Sequence, residues 1–230
     1  MTKIRYFNVR VPRGVDFDLI AKTQSAISGP SKIRIAQASA SEVIAVLTTV
    51  RELPTIQFLP DGTSSTSIVT TMEQHSARLF RFGELFFLAL LDPPRGSRIV
   101  IDFLDTIIGV SNYFVEAFNF NRASIQRHIA LFESAKLVSA KVRDFQVTEK
   151  SVGRLEVTSK EGLAEEIAPF LLGKFYRVDS MTYEVVHQFK RGLVTYSSNG
   201  SLRISTPLVE IGFQSFESTL SFPASQSHDI

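Results

Sequence analysis

Three sets of side chains in this sequence have the types and spacing to do chemistry. The first is a series of cations two residues apart: Lys3 and Arg5, Lys32 and Arg34, Lys141 and Arg143. Arg154 and Arg203 stand singly in further β-prone stretches. A spacing of two puts both members of a pair on one face of a strand. If those strands share a sheet, the cations offer a phosphate backbone both charge and the release of its counterions. Tyr6, Phe7 and Phe145 stand nearby in sequence as stacking platforms, provided that they are exposed. The plainer reading is that Lys and Arg on outward strand positions serve solubility and guard sheet edges. A formal net charge of +2 weighs toward that plainer reading.

The second set is carboxylates. Asp102 and Asp105 lie on, and just beyond, a strand predicted over 97–104, and Glu156 lies on a later one. Strand-end carboxylates can hold Mg²⁺ or act as an acid–base pair, which gives a metal-dependent hydrolase or nuclease as the alternative function. Asp105 has a simpler use as the cap of a following helix. The third set is His75, His128, His187 and His228, which are scattered. No two stand at the i, i+4 or His-x-His spacing that brings two imidazoles to one metal. Gly62–Ser67 lacks the Lys-Ser/Thr ending of a phosphate-binding loop, and no Gly-x-Ser-x-Gly elbow occurs. No cofactor is expected.

The elements that must position these groups follow from periodicity. Strands are predicted over 4–11, 32–36 and 55–59, with Ile33 and Ile35 inward and Lys32 and Arg34 outward. Asp16 caps a predicted helix over 17–27. Ser39 and Glu42 form a capping-box pair ahead of Val43, Leu47 and Val50, so a second helix ends at Pro54. Residues 78–91 and 97–104 read as strands around the turn Asp92–Gly96. Helices are expected over about 105–119 and 122–134. A hairpin is expected over 136–147 and 152–158, and a helix behind Thr158 and Glu161 ends near Gly173. The residue types of 180–191 favour strand over helix. Asn199–Gly200 marks a tight hairpin, and 208–216 with 218–222 add final strands.

Composition sets the outer bounds. The 230 residues are 44% hydrophobic, enough for a substantial core, and nine of the 19 Phe lie between Phe80 and Phe132. The absence of Cys removes disulfides, thiolate catalysis and all-Cys zinc sites. The longest apolar run, Leu85–Leu91, is far shorter than the ~18 residues of a membrane helix, and the start of the chain lacks a signal-peptide core. A soluble, cytoplasmic protein is therefore expected, with no membrane partner.

The sequence thus predicts an α+β fold, an antiparallel or mixed sheet with helices mainly on one face. Residues 1–60 form an alternating strand–helix segment, 61–222 the main core and 223–230 a polar tail. The expected function is a non-catalytic binding or assembly subunit. Its expected partner is another protein or a second copy of the chain, with nucleic acid contacted through Lys32, Arg34, Lys141, Arg143, Arg154 and Arg203.

Overall fold

Alternation of side chains decides this fold. The computed structural model describes residues 1–11, 33–58, 60–93, 98–109, 112–148, 151–163 and 176–220. Its strands are β1 (Thr2–Arg10), β2 (Ile33–Ala38), β3 (Glu42–Phe58), β4 (Ser64–Phe82), β5 (Leu85–Leu91), β6 (Phe114–Ala117), β7 (Ser134–Thr148), β8 (Ser151–Thr158), β9 (Arg177–His187), β10 (Lys190–Ser197) and β11 (Ser201–Ile204). Among the described residues the helices are α1 (Arg98–Ile108), α2 (Arg122–Ile129) and α3 (Val209–Leu220), with a 3₁₀ turn at Thr206–Leu208.

All eleven strands join one antiparallel sheet in the order β2-β3-β4-β5-β1-β11-β10-β9-β7-β8. Strand β6 pairs with the second half of β1, and β11 with the first half. The sheet therefore has an N-terminal half, β2–β5, and a C-terminal half, β11–β8, joined through β1.

The two halves bury mainly opposite faces, although Phe80, Phe87 and Ala89 of β4 and β5 also join the second core. On β1, Val9 and Phe7 join one cluster with Val43, Ala45, Leu47, Leu79, Leu88 and Leu90 under helix α1. Ile4 and Tyr6, which point the other way, join Phe87, Val194, Tyr196, Leu202 and Ile204 against Ile125 of α2 and Phe216 of α3. Helix α1 supplies Ile99, Val100, Phe103, Leu104 and Ile107 from a single side. Phe216 meets the rings of Tyr6, Phe118, Phe120 and His128, with centroids 4.9–5.7 Å apart. Arg78 ties the two halves, bonding Glu42 of β3 at 2.7 Å and Glu217 of α3 at 2.5 Å.

This overturns the α+β expectation. Among the described residues strands make up 61% and helices 19%, so the fold is mostly β rather than a layer of helices on one face of a sheet. The helix expected after Ser39 is strand β3, in which Val43, Ala45 and Leu47 are buried in strict alternation. The Ser39–Glu42 contact does form, with Ser39 Oγ accepting the Glu42 N–H at 3.2 Å, but it closes the β2–β3 hairpin. The hairpin expected at Asp92–Gly96 is absent: residues 98–108 are helical, and the turn between β4 and β5 is at Gly83, where φ is +57°. Most of the helix expected over 105–119 is a short helix end followed by β6, and the final strands are α3.

Other expectations hold. β1, β2, the β7–β8 hairpin, the strand over 180–187 and the Asn199–Gly200 hairpin all form. Gly200 has φ +79° and lies against the backbone of Tyr6 and Phe118, where a side chain would collide. The helices expected over 17–27 and behind Thr158 fall largely outside the described residues. No described helix is long and apolar enough to cross a membrane.

Candidate functional site

Because α2 and α3 cover one face of the C-terminal half-sheet, the side chains of the other face define the candidate site. Strand register identifies them. Lys3 stands opposite Arg203, and Arg5 opposite Ser201. Arg203 is level with Thr195, Thr195 with Thr182, and Ser180 with Lys141. Lys141 is level with Glu156, and Arg154, two residues before Glu156, shares that face. All of these point away from Tyr196, Val194 and Leu202, which alternate with them and are buried under α3.

The result is a shallow polar depression of about 530 Å³. Its floor is Ser180, Thr182, Thr195 and Ser197, and Lys141, Arg143 and Arg203 stand around it with Asp179. The Thr182 and Thr195 hydroxyls are 3.0 Å apart. Lys141 pairs with Glu156 at 2.8 Å, and Arg143 reaches Asp179 at 4.0 Å. Lys3, Arg5, Arg154 and Arg203 have no carboxylate within 4 Å among the described residues.

Lys3, Arg5 and Arg203 form a cluster of like charge. Direct cross-strand pairing of two cations is unfavourable. Burial, then the charges of Arg203 and Arg5, hold the Lys3 ammonium below its usual range. Arg5 is fixed from two directions. Its Nε donates to the Asn199 carbonyl at 3.0 Å, and its guanidinium lies 4.8 Å above the Phe7 ring. Ser201, at the foot of this cluster, is buried with a hydroxyl that has no hydrogen-bond partner among the described residues. The mutual repulsion of the three cations works against stability, and an anion would relieve it.

The structure brings together some of the sequence-predicted residues and separates others. Lys141, Arg143, Arg154 and Arg203 share the open face, with Lys3 and Arg5. Arg34 does not: it lies on β2 at the far end of the sheet, paired with Val46 of β3, and faces away from Ile33 and Ile35 of the α1 cluster. Lys32 lies outside the described residues. Tyr6 and Phe145 are buried, so neither is a stacking platform. The hydroxyl floor was missed, although Ser180–Thr182 and Thr195–Ser197 alternate with Met181, Tyr183 and Tyr196 in the sequence.

The carboxylates do not gather. Asp102 and Asp105 are on helix α1 rather than on a strand, and Asp105 is inside the helix rather than capping one. Asp105 accepts a hydrogen bond from the Tyr113 hydroxyl at 2.8 Å, and burial, then this contact, pushes the Tyr113 phenol up to about 12. Glu156 is on β8, at the outer end of the other half-sheet. No group of three metal-ligating side chains occurs among the described residues.

His128 is fully buried between Tyr196, 2.7 Å from Nδ1, and Ser215, 3.0 Å from Nε2. Ser215 donates its own proton to the Gly212 carbonyl at 3.1 Å. Nε2–H must then donate to Ser215, leaving Nδ1 to accept from Tyr196. Burial pushes the His128 pKa down to about 4. The histidine is thus neutral, and its Nε2 has no lone pair with which to take the serine proton. This is a satisfied core network rather than an activated nucleophile.

The sequence matches no family model and no curated relative.

Proposed function

We propose that this protein is a non-catalytic binding subunit that holds a nucleic-acid backbone on the open face of its C-terminal half-sheet. The observation that carries the reading is the Lys3–Arg5–Arg203 cluster, three cations on adjacent strands beside a floor of hydroxyls. Arg154, Lys141 and Arg143 extend the positive surface across β7 and β8. From β1 to β8 the face spans about 25 Å of sheet, on the order of 4.8 Å per strand.

The mode of contact follows from what the face offers. Cations and hydroxyls bond phosphate oxygens, which fix register but carry no sequence information. With Tyr6 and Phe145 buried, the face presents little aromatic surface for unstacked bases. Binding is therefore directed at the backbone and indifferent to sequence. Its affinity falls steeply with salt as counterion release weakens.

The test is fluorescence anisotropy of a labelled oligonucleotide duplex at low salt. The reading predicts saturable binding that a paired Lys3→Glu, Arg203→Glu substitution weakens by at least about tenfold. Absence of binding, or binding that the paired reversal leaves unchanged, removes it.

A further inference from the structure

Strands β3 and β4 run far beyond the sheet that holds them. β2 pairs with β3 only as far as Leu47, and β5 pairs with β4 only from Ser76 onward. Among the described residues, from Thr48↔Gln74 to Phe58↔Ser64 the two strands pair with each other alone. That is an antiparallel ribbon on the order of 35 Å long at ~3.4 Å per residue. A two-stranded ribbon is marginal in water without a further layer against it.

The ribbon has one apolar side. Register puts Val50 beside Met72, Pro54 beside Ile68, and Ile56 and Phe58 on the same side, opposite Thr66 and Ser64. Val50, Ile56, Phe58, Ile68 and Met72 are 47–83% exposed. The reverse side is mostly Thr, Ser, Gln, Arg51 and Glu73, with Leu53 and Val69 as its apolar pair. Alternation of this kind is the pattern of a strand pair with one face covered.

We infer that this side is covered by the same side of a second copy of the chain, with the two ribbons packing face to face about a two-fold axis. Three observations favour that occupant. The stripe offers on the order of 600 Å² of apolar surface per copy, so two copies bury roughly 1,200 Å², the lower bound of a stable specific interface. Its one charged side chain is Glu52, mid-stripe opposite Thr70, so every other position on this side is uncharged and suits an equally uncharged stripe. The ribbon's charged residues are Arg51, Glu52, Asp61 and Glu73, and Arg51 is already paired with Glu73 at 3.5 Å. That acidic balance suits neither a polyanion nor an anionic lipid surface. The inference is independent of the nucleic-acid reading, which concerns the other half-sheet.

The absence of cysteine makes the test clean. Sedimentation equilibrium of the full chain is expected to give a dimer. An Ile56→Lys, Ile68→Lys variant is expected to give a monomer of unchanged circular dichroism, with self-association weakened by at least about tenfold. On oxidation, Ile68→Cys is expected to crosslink as a dimer, while Ser67→Cys, on the opposite side of the ribbon, stays uncrosslinked. A monomeric unsubstituted chain at ~100 μM would overturn the inference, since specific interfaces of this size hold at micromolar levels. So would a dimer that survives both lysines, or equal crosslinking of the two cysteine variants.

Discussion

The two halves of this sheet use the same alternation of side chains to opposite ends. In the N-terminal half, Val43, Ala45, Leu47, Leu79, Leu88 and Leu90 turn toward α1, and the strands then run out as an unsupported ribbon. In the C-terminal half, Val194, Tyr196, Leu202 and Ile204 turn the other way, toward α2 and α3. The residues between them, Thr195, Ser197 and Arg203, are left on a face that no described helix covers. Strand β1 serves both, as β4 and β5 do: Val9, Leu79 and Leu88 face one core and Tyr6, Phe80 and Phe87 the other. The lesson is that a continuous sheet can have different working faces along its width, set by where its few helices sit.

The largest expected effect comes at the junction of the halves. Phe216 is fully buried and touches four aromatic rings around β1 and α2. Phe216→Ala should destabilise the protein by about 3–5 kcal/mol, read by denaturant titration. A loss under about 1 kcal/mol would mean that the halves are not coupled through this ring. Next is Gly200→Ala, which combines φ +79° with a collision against the Tyr6 backbone. About 2–3 kcal/mol should be lost in the same assay.

His128 gives a pH test of the C-terminal core. Its pKa is about 4 in the fold against 6.5 ordinarily, so below pH 6.5 the unfolded chain binds the additional proton. The contribution to stability is complete above pH 6.5 and shrinks as pH falls toward 4. About 3 kcal/mol is at stake over that window. A His128→Asn variant should be less stable at pH 7 and should lose this part of the pH dependence; an unchanged pH profile would show that the ring is solvated. The smallest effect separates binding from folding. Lys3→Ala removes a cation that its neighbours repel, so stability should stay within about 0.5 kcal/mol while duplex affinity falls. A clear destabilisation would give Lys3 a structural role.

How much of this was legible in the sequence depended on whether two periods agreed. Asn199–Gly200 and the β7–β8 hairpin were readable because turn residues and alternation pointed the same way. Residues 43–50 were misread because Val43, Leu47 and Val50 fit a helix, while the alternation that wins, Val43–Ala45–Leu47, contains a small residue that weakens the signal. In α1 the β-branched run Ile99–Val100–Ile101 argued strand. The buried set Ile99, Val100, Phe103, Leu104 and Ile107 carries the helical period instead. The cations on the open face were legible as pairs two apart. Their convergence was not, because it depends on strand order, which brings residue 3 beside residue 203 and leaves Arg34 at the far end.

The most direct test of the open face is the salt dependence of duplex affinity for three proteins: the unsubstituted chain, the Lys3→Ala, Arg5→Ala, Arg203→Ala triple variant, and Arg34→Ala. The slope of log K against log salt should be shallower in the triple variant by about 2–3, near 0.9 per lost phosphate contact, and unchanged in Arg34→Ala. Equal slopes for the triple variant and the unsubstituted chain, or a change in Arg34→Ala instead, would contradict the account.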